Sequence, residues 1–313
     1  MKTAAMVSAL AAGAATGALP PPERASFVSL DRDAAGDPVR VAALLYRPAG
    51  PPPRDGFPAV IVLHGCGGMY SALPGRTGEL SRHNAAWTAD LLGEGYAVLF
   101  PDSFNPRGQR EVCTTAPALR TINAGRRRLD ALGALAWLAA QRGIDGERIA
   151  LLGFSHGGST TLAAINARDN AVIAFRDVPD APRFFRAAVA FYPGCRAFHA
   201  AGERWQPAMP ARIYIGEKDD WTPAAPCVAL GEARRARGEP FAVTVYAESH
   251  HGFDSPAGRV VVRRNVPGGV NPGQGVTVGP NPEAGAAARE QARAFLRERL
   301  APAAAPPAQP RAD

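Results

Sequence analysis

Short runs of consecutive apolar residues alternate along this chain with longer segments whose apolar residues recur at helical spacing. FPAVIVLHG, at 57–65, contains no charged residue, as expected of a strand that is buried on both faces. ALGALAWLAA, within 117–142, instead carries a broad apolar stripe of helical periodicity. The repeated alternation of these two patterns predicts βαβ units. We therefore expect an α/β fold with a mainly parallel central sheet and helices on both of its faces.

The apolar runs predict about eight strands, with helices between most of them. Segments 26–30 and 38–48 are expected to open the sheet as an antiparallel ribbon. The remaining predicted strands are 57–65, 95–102, 148–154, 186–194, 211–217 and 241–248, and the predicted helices are 79–94, 117–142, 157–168, 223–237 and 283–300. The stretch 265–282 is rich in glycine and proline and is predicted to be a long loop without an assigned role. No linker interrupts this plan, so we expect a single domain.

The two ends of the chain differ in composition from the part between them. Residues 1–25 contain a lysine, an apolar stretch with small residues and then three prolines, which is typical of a secretory signal with cleavage near Ala18. An alanine-rich disordered leader is the alternative. Residues 302–313 are rich in proline and alanine and are predicted to be disordered. The folded domain is expected to span 26–301, and no segment in it is long and apolar enough to span a bilayer.

The formal net charge is +7, and arginine supplies almost all of the positive charge. The arginines are scattered, apart from the run Arg126–Arg127–Arg128, which opens a helical segment and is predicted to be a solvated helix face. Because no nucleic-acid recognition motif accompanies the charge, we do not expect nucleic-acid binding. The four cysteines form no CxxC pair, so we expect neither a structural zinc site nor another metal or organic cofactor.

The stretch Gly153-Phe154-Ser155-His156-Gly157 matches the pattern G-x-S-x-G between a predicted strand and a predicted helix. In that setting the serine occupies a strained turn, and the glycines on either side leave room for the backbone. The hydroxyl of Ser155 then projects beyond the strand ends, at the positively polarised start of a helix. We predict that Ser155 is a nucleophile; an ordinary glycine-rich turn is the alternative.

A serine nucleophile needs a base, and the base needs a carboxylate to orient it. ESHHGFD follows the last predicted strand, and His251 is the predicted base because its HGF turn can direct the imidazole back over the sheet. His250 is the alternative. GEKDDWTP follows the preceding strand and supplies Asp219 and Asp220. Either carboxylate suits the role, and the other is expected to cap the helix that begins near Pro223.

Two backbone amides are predicted to bind an oxyanion. One is the N–H of His156, directly after the serine. The other is the N–H of Cys66 in VLHGCGG, a glycine-rich loop after an earlier strand, where the glycines let the backbone approach a substrate. A plain strand-ending turn is the alternative for this loop.

Side chains in neighbouring loops are candidates for contact with a substrate. Tyr70 and Trp221 are aromatic residues at the same end of the predicted sheet. Arg107 has the geometry to hold a substrate carboxylate. It suits equally well the role of a structural arginine that bonds loop carbonyls.

The cysteines follow strands in pairs. Cys66 and Cys113 follow adjacent strands, and so do Cys195 and Cys227, so each pair can meet at one end of the sheet. We predict a disulfide in each pair, which a Cα separation beyond about 7 Å would exclude. Disulfides and a secretory signal together predict a periplasmic or secreted protein; a cytoplasmic protein with free cysteines is the alternative.

HGCGG, GFSHGG, GEKDDWTP and HHGFD, in this order and spacing, resemble the dienelactone hydrolase family of α/β-hydrolases. The segment DALGALAWLAAQRGIDGERIALLGFSHGG is similar to the family's helix-to-elbow region, and the resemblance covers roughly residues 26–300. The order Ser, Asp, His is the one expected of α/β-hydrolases. By the family's pattern the acid lies four residues before a proline, so the resemblance implies Asp219, with Pro223 as that proline.

The sequence departs from the family's name-giving members, which carry a cysteine nucleophile and a glutamate near the first glycine loop. Here the nucleophile position is Ser155, and the loop contains no glutamate. The implied activity is that of a serine esterase acting on small-molecule esters or lactones through an acyl-enzyme, and dienelactone itself is not the expected substrate. Peptidase, thioesterase and polyester depolymerase activities are alternatives on the same residues, as is a non-catalytic binding protein of the same fold.

Overall fold

In the computed structural model, which describes residues 18–302, the apolar runs form one mixed sheet of eight strands. The strands are β1 (Glu23–Arg32), β2 (Pro38–Tyr46), β3 (Phe57–Leu63), β4 (Ala97–Asp102), β5 (Ile144–Phe154), β6 (Ala187–Phe191), β7 (Ala211–Gly216) and β8 (Phe241–Tyr246). Their order is β1-β2-β4-β3-β5-β6-β7-β8. β2 is antiparallel to both β1 and β4, and the other neighbours are parallel. The predicted antiparallel opening and mainly parallel sheet are confirmed.

Burial explains why the central strands β3 and β6 carry no charged residue and β4 carries only Asp102, at its end. Every residue of β4 and β6 is buried, and β3 is buried except for Pro58. A strand buried on both faces needs helices on both sides of the sheet. These helices are α1 (Arg82–Gly93), α2 (Ala124–Ala139), α3 (His156–Ala164), α4 (Asn170–Arg176), α5 (Arg196–Ala201), α6 (Ala224–Arg235) and α7 (Pro282–Leu300). None of the helices within 18–302 combines the length and apolarity that a membrane span requires.

Helix boundaries differ from the predicted ones where a polar side chain caps the first turn. The predicted helix at 117–142 is shorter in the structure, because the side chain of Asn123 accepts a hydrogen bond from the N–H of Arg126 and begins α2 there. Residues Pro117–Leu119 form a separate 3₁₀ turn. The short helices α4 and α5 were not predicted, since two turns or fewer carry little periodic signal.

The stretch 265–282 is not the featureless loop that its composition predicts. Val276–Val278 forms a strand, β10, which pairs antiparallel with β9 (Val261–Arg263). This hairpin reaches the last loop of the main sheet, where the N–H of Gly279 donates to the carbonyl of His251 at 3.0 Å. Glycines at positive φ, such as Gly275, turn the chain between the strands and hide the pairing from a periodicity analysis.

The first and last described residues can be compared with the predicted boundaries of the leader and the tail. β1 begins at Glu23, inside the segment expected to be a leader. Residues 1–17, which carry most of the predicted signal, and 303–313, which carry most of the predicted tail, lie outside the described residues.

Candidate active site

Ser155 lies at a sharp turn between β5 and α3. Its φ is +52° and its ψ is −115°, a backbone conformation that non-glycine residues rarely adopt. The turn is closed by two glycines: a Cβ at Gly153 would lie 2.2 Å from the carbonyl oxygen of Gly157, and one at Gly157 would lie 1.9 Å from that of Leu63. Only glycine fits at either position, so the sequence pattern is a packing requirement of this turn.

A chain of hydrogen bonds joins three side chains that are far apart in sequence. The Oγ of Ser155 lies 2.9 Å from Nε2 of His251, and Nδ1 of His251 lies 2.8 Å from Oδ2 of Asp219. His251 and Asp219 are both buried, at 4% and 3% exposure, so little water competes for these contacts. Because a carboxylate can only accept, its contact favours the tautomer with the proton on Nδ1, which leaves Nε2 free to accept from the serine.

The Asp219 carboxylate is fixed by its own turn. Its Oδ1 accepts hydrogen bonds from the backbone N–H groups of Trp221 at 2.9 Å and Thr222 at 2.8 Å. This leaves Oδ2 directed at His251. The carboxylate therefore reaches the imidazole with its orientation already set.

Thr222 is a site residue that sequence reasoning missed. Its hydroxyl lies 3.0 Å from Oδ2 of Asp219, 3.1 Å from Nδ1 of His251 and 3.0 Å from the carbonyl oxygen of Tyr192. It thus connects the acid loop to the end of β6. The signal was a threonine three residues after an aspartate, a spacing typical of a carboxylate that caps a turn.

The neighbouring aspartate and histidine have other partners. Asp220 was the alternative acid, and it was otherwise expected to cap α6. It does neither: its carboxylate accepts from the backbone N–H of Thr277 at 2.7 Å and from the Thr277 hydroxyl at 2.8 Å, and the N-cap of α6 is Pro223. Asp220 therefore holds the β9–β10 hairpin. The ring of His250 contacts the carbonyl oxygen of Lys218.

The glycine-rich loop at 64–68 lies beside the serine turn. A Cβ at Gly65 would lie 3.6 Å from the Cβ of Ser155, so the two backbones are close. Cys66 follows directly, and His156 is the first residue of α3. The two amides predicted as oxyanion donors thus belong to the residue after Ser155 and to a loop that packs against the Ser155 turn.

Both predicted disulfides are present. Cys66 bonds to Cys113 with a Cα separation of 4.9 Å, and Cys195 bonds to Cys227 with a Cα separation of 5.0 Å. Each separation is well inside the limit of about 7 Å. Two disulfides are consistent with a protein that resides in an oxidising compartment.

The expectation that Arg107 contacts a substrate needs correction. Its guanidinium donates to the carboxylates of Asp31 and Asp130 and to the carbonyl of Ser103. These contacts occupy all five N–H donors that an arginine has. The structural alternative therefore describes Arg107, and its charge is neutralised by two buried carboxylates.

The two aromatic candidates have different surroundings. Trp221 packs on the base, with its ring centroid 4.7 Å from that of His251, and the guanidinium of Arg263 lies 5.5 Å from the Trp221 centroid. Tyr70 lines a cleft of about 610 Å³ that extends from Gly67 in the glycine-rich loop. Both residues thus border segments that carry candidate site groups.

The run Arg126–Arg127–Arg128 is not a solvated helix face, because Arg127 is fully buried. One of its nitrogens, Nη1, lies 2.7 Å from Nδ1 of His156, while its Nε and Nη2 have no hydrogen-bond partner among the described residues. Burial lowers the pKa of Arg127 to about 9. Burial, with the nearby Arg127 charge, also holds the pKa of His156 well below its ordinary value. The His156 ring is therefore neutral.

Taken together, the arrangement places a proton acceptor against the hydroxyl of a residue with strained backbone, and a carboxylate behind that acceptor. In this geometry the imidazole of His251 can take the proton of Ser155 while the serine oxygen attacks an electrophilic carbon or phosphorus.

Comparison with known proteins places the chain in a family. The family model described as "Dienelactone hydrolase family" matches residues 41–299. No protein of curated function matches the chain's sequence.

Solved structures of similar fold include three kinds of hydrolase. A dienelactone hydrolase-like promiscuous phosphotriesterase, P91 from metagenomic libraries, is 20% identical, with a TM-score of 0.61 over 90% of this chain and 99% of its own. Esterase 2 of Thermogutta terrifontis with propionate bound is 18% identical, with a TM-score of 0.57 over 91% and 97%. A puromycin-hydrolyzing peptidase of Mycobacterium tuberculosis is 18% identical, with a TM-score of 0.59 over 89% of this chain and 40% of its own. At these identities the likeness establishes the fold.

Proposed function

This chain belongs to the dienelactone hydrolase family, and on that basis we propose that it is a serine hydrolase that cleaves small carboxylic esters or lactones. The observation that carries the proposal is the unbroken hydrogen-bonded chain from Ser155 through His251 to Asp219, at a strained turn. Strain held at one residue marks functional sites when the surrounding structure maintains it.

In the first half of the reaction, the Oγ of Ser155 attacks the carbonyl carbon while Nε2 of His251 takes the hydroxyl proton. The carbonyl oxygen becomes an oxyanion, which the amides of Cys66 and His156 bind. Collapse of this intermediate breaks the bond to the alcohol oxygen, and His251 returns the proton to the leaving alcohol. The acyl group remains on Ser155.

In the second half, a water molecule attacks the acyl carbon and gives a proton to His251. The oxyanion forms again at the same amides, the bond to the Ser155 oxygen breaks, and His251 returns the proton to the serine. Asp219 keeps its charge throughout and stabilises the imidazolium that forms in each half. No step requires a metal or an organic cofactor.

The experiment that tests this function measures product release from a panel of substrates. The panel contains p-nitrophenyl acetate and butyrate, an aromatic lactone, a p-nitroanilide peptide and a phosphotriester, because the structural neighbours are described as esterases, a phosphotriesterase and peptidases. The expected order places esters and lactones first. Hydrolysis of the anilide with no hydrolysis of any ester would overturn the assignment in favour of a peptidase, and no hydrolysis of any substrate would favour a binding protein.

A matched pair of variants attributes the activity to Ser155. Ser155→Ala is expected to lose it, whereas Ser159→Ala, one turn along α3, is expected to keep it, since the Ser159 hydroxyl only accepts a hydrogen bond from the N–H of Gly194. Full activity in Ser155→Ala would exclude the mechanism.

We also propose that the protein is exported to the periplasm or secreted, because two disulfides persist best in an oxidising compartment. Fractionation of cells that express the full chain is expected to recover it outside the cytoplasm, shortened near Ala18. Recovery of the unshortened chain in the cytoplasm would contradict this.

A further inference from the structure

The glycine-rich loop at 64–68 contacts a second segment, residues 110–113, at three points. Cys66 is bonded to Cys113, and the carbonyl of Cys66 accepts a hydrogen bond from the N–H of Val112 at 2.8 Å. A Cβ at Gly68, where φ is +80°, would lie 2.6 Å from the carbonyl oxygen of Arg110. The position of the loop is thus set by the second segment as well as by β3, which precedes it.

The second segment is itself firmly held. The carboxylate of Glu111 accepts hydrogen bonds from the backbone N–H groups of Cys113 and Thr114. The side chains of Val112 and Cys113 are buried with Cys66 in a small apolar cluster, separate from the main core, that also contains Phe104 and Ile122. The disulfide therefore ties the loop to a segment whose own side chains are packed in a buried cluster.

We propose that Cys113 is a positioning residue, whose disulfide to Cys66 holds the Cys66 amide where the oxyanion of the reaction forms. The inference rests on the proposed serine-hydrolase function. An oxyanion donor contributes to the rate only when it is already in place as charge develops, because reorganisation at that moment costs energy. Without the disulfide, a loop that contains Gly65, Gly67 and Gly68 has many accessible conformations.

The second disulfide provides a matched control within the same chain. Cys195 and Cys227 join the end of β6 to α6, with a sequence separation of 32 residues, against 47 for Cys66 and Cys113. Because the entropic effect of a disulfide grows only slowly with loop length, loss of either one is expected to lower the thermal midpoint by a similar amount. The two disulfides differ in that Cys66 carries a proposed oxyanion donor and neither Cys195 nor Cys227 does.

The test compares the variants Cys66→Ala/Cys113→Ala and Cys195→Ala/Cys227→Ala in the full chain. The first retains the backbone N–H at position 66 and removes only the tether. We expect its kcat for p-nitrophenyl acetate to fall at least about tenfold while KM changes less than about twofold, because the amide acts on the transition state. The second is expected to keep kcat within about twofold of the wild type. Calorimetry gives the thermal midpoints, and rates are measured below both.

Two results would overturn the proposal: an unchanged kcat in Cys66→Ala/Cys113→Ala, or equal losses of kcat in the two variants. If Cys66→Ala/Cys113→Ala does not fold during expression, the folded Cys195→Ala/Cys227→Ala variant is reduced with a phosphine at a temperature where circular dichroism shows that it stays folded, and is then reoxidised. Its kcat is expected to fall when the Cys66–Cys113 bond is reduced and to recover when the bond forms again. A kcat that does not change on reduction would overturn the proposal. A wild type without esterase activity would instead refute the proposed function, so the two failures are distinguishable.

Discussion

Two histidines of this protein pair with buried aspartates at the same distance, yet the pairs differ in what surrounds them. Nδ1 of His251 lies 2.8 Å from Asp219, and Nε2 of His83 lies 2.8 Å from Asp254. Tyr192 lies between the pairs: its ring centroid is 4.6 Å from that of His251, and its hydroxyl donates to Asp254 at 2.8 Å. One tyrosine thus contacts both pairs.

The two pairs differ in the group that each histidine contacts besides its aspartate. His251 uses its second nitrogen to reach the Ser155 hydroxyl, whereas His83 contacts both Asp254 and the Tyr192 hydroxyl through Nε2. Asp254 also accepts from the indole N–H of Trp87 at 2.7 Å. An Asp–His distance therefore does not distinguish the two pairs; the serine hydroxyl at the far nitrogen of His251 does.

The Asp254 pair braces the loop that carries His251. Burial alone would raise the pKa of Asp254, but the His83 charge and hydrogen bonds from His83, Trp87 and Tyr192 hold it at about 2. The carboxylate lies three residues after His251 and is anchored to α1 and β6. We therefore propose that the Asp254 pair positions the loop and that the Asp219 pair takes part in the reaction, and variants of each pair test this.

His251→Ala is expected to have the largest effect. It removes the proton acceptor from Ser155, so kcat should fall by about a millionfold, as when the base of such a group is lost. The substitution leaves a cavity at a buried position and should lower the stability, so circular dichroism checks that the variant is folded. Initial rates with p-nitrophenyl acetate measure the loss, and a drop of less than about a hundredfold would show that another base serves the serine.

Asp219→Asn should follow, with kcat lower by about ten-thousandfold. The amide can present a hydrogen to Nδ1, which favours the wrong tautomer of His251 and removes the charge that stabilises the imidazolium. Asp220→Asn is the matched control, since its carboxylate contacts Thr277, and it is expected to lose less than about tenfold. Equal losses in the two variants would refute the assignment of Asp219.

Asp254→Asn is expected to act on stability more than on rate. The substitution removes a buried charge that three donors contact, so the free energy of unfolding at pH 7 should fall by about 3 kcal/mol. Urea denaturation measures this, and kcat should change less than about tenfold. A loss of kcat as large as that of Asp219→Asn would mean that the two pairs are not distinct in function.

The stability difference between the wild type and Asp254→Asn should also depend on pH. Because the pKa of Asp254 in the folded protein, about 2, lies below the ordinary value of 3.8, its contribution to stability is present above pH 3.8 and is lost as the pH falls toward 2. The stability difference between the wild type and Asp254→Asn should shrink over that interval. A difference that stays constant with pH would show that the carboxylate charge is not responsible.

His83→Gln should have the smallest effect. Glutamine retains an N–H donor for Asp254, and the His83 side chain is partly exposed. The free energy of unfolding should therefore fall by about 1 kcal/mol, and kcat should stay within about twofold of the wild type. Denaturation and ester hydrolysis together check this. A catalytic loss near that of His251→Ala would reverse the roles assigned to the two histidines.

The strands of the sheet could be predicted because each strand shows its burial in its own short run of residues. β3, β4 and β6 are buried on both faces, so their runs contain no charge apart from Asp102 at the end of β4, and the order of strands and helices follows from the alternation. Ser155 was predictable for the same reason, since only glycine fits beside it at 153 and 157. The pattern that results, G-x-S-x-G, lies within five residues of the chain, although the contact of Gly157 with the carbonyl oxygen of Leu63 joins distant segments.

Other features depend on contacts between distant segments and were not predictable from the sequence. Arg127 stands in a run of three arginines that suggests solvent exposure, and only the packing of α2 against α3 shows that it is buried against His156. Asp220 binds Thr277, 57 residues further along the chain. The second Asp–His pair, at 83 and 254, is separated by 171 residues and carries no motif.

Labelling with a fluorophosphonate, followed by intact-mass measurement and peptide mapping, shows whether Ser155 is the nucleophile. We expect one phosphonyl group per wild-type chain, attached to Ser155, no label on Ser155→Ala and strongly slowed labelling of His251→Ala. A wild type that hydrolyses esters but is labelled elsewhere, or is not labelled, would contradict this assignment.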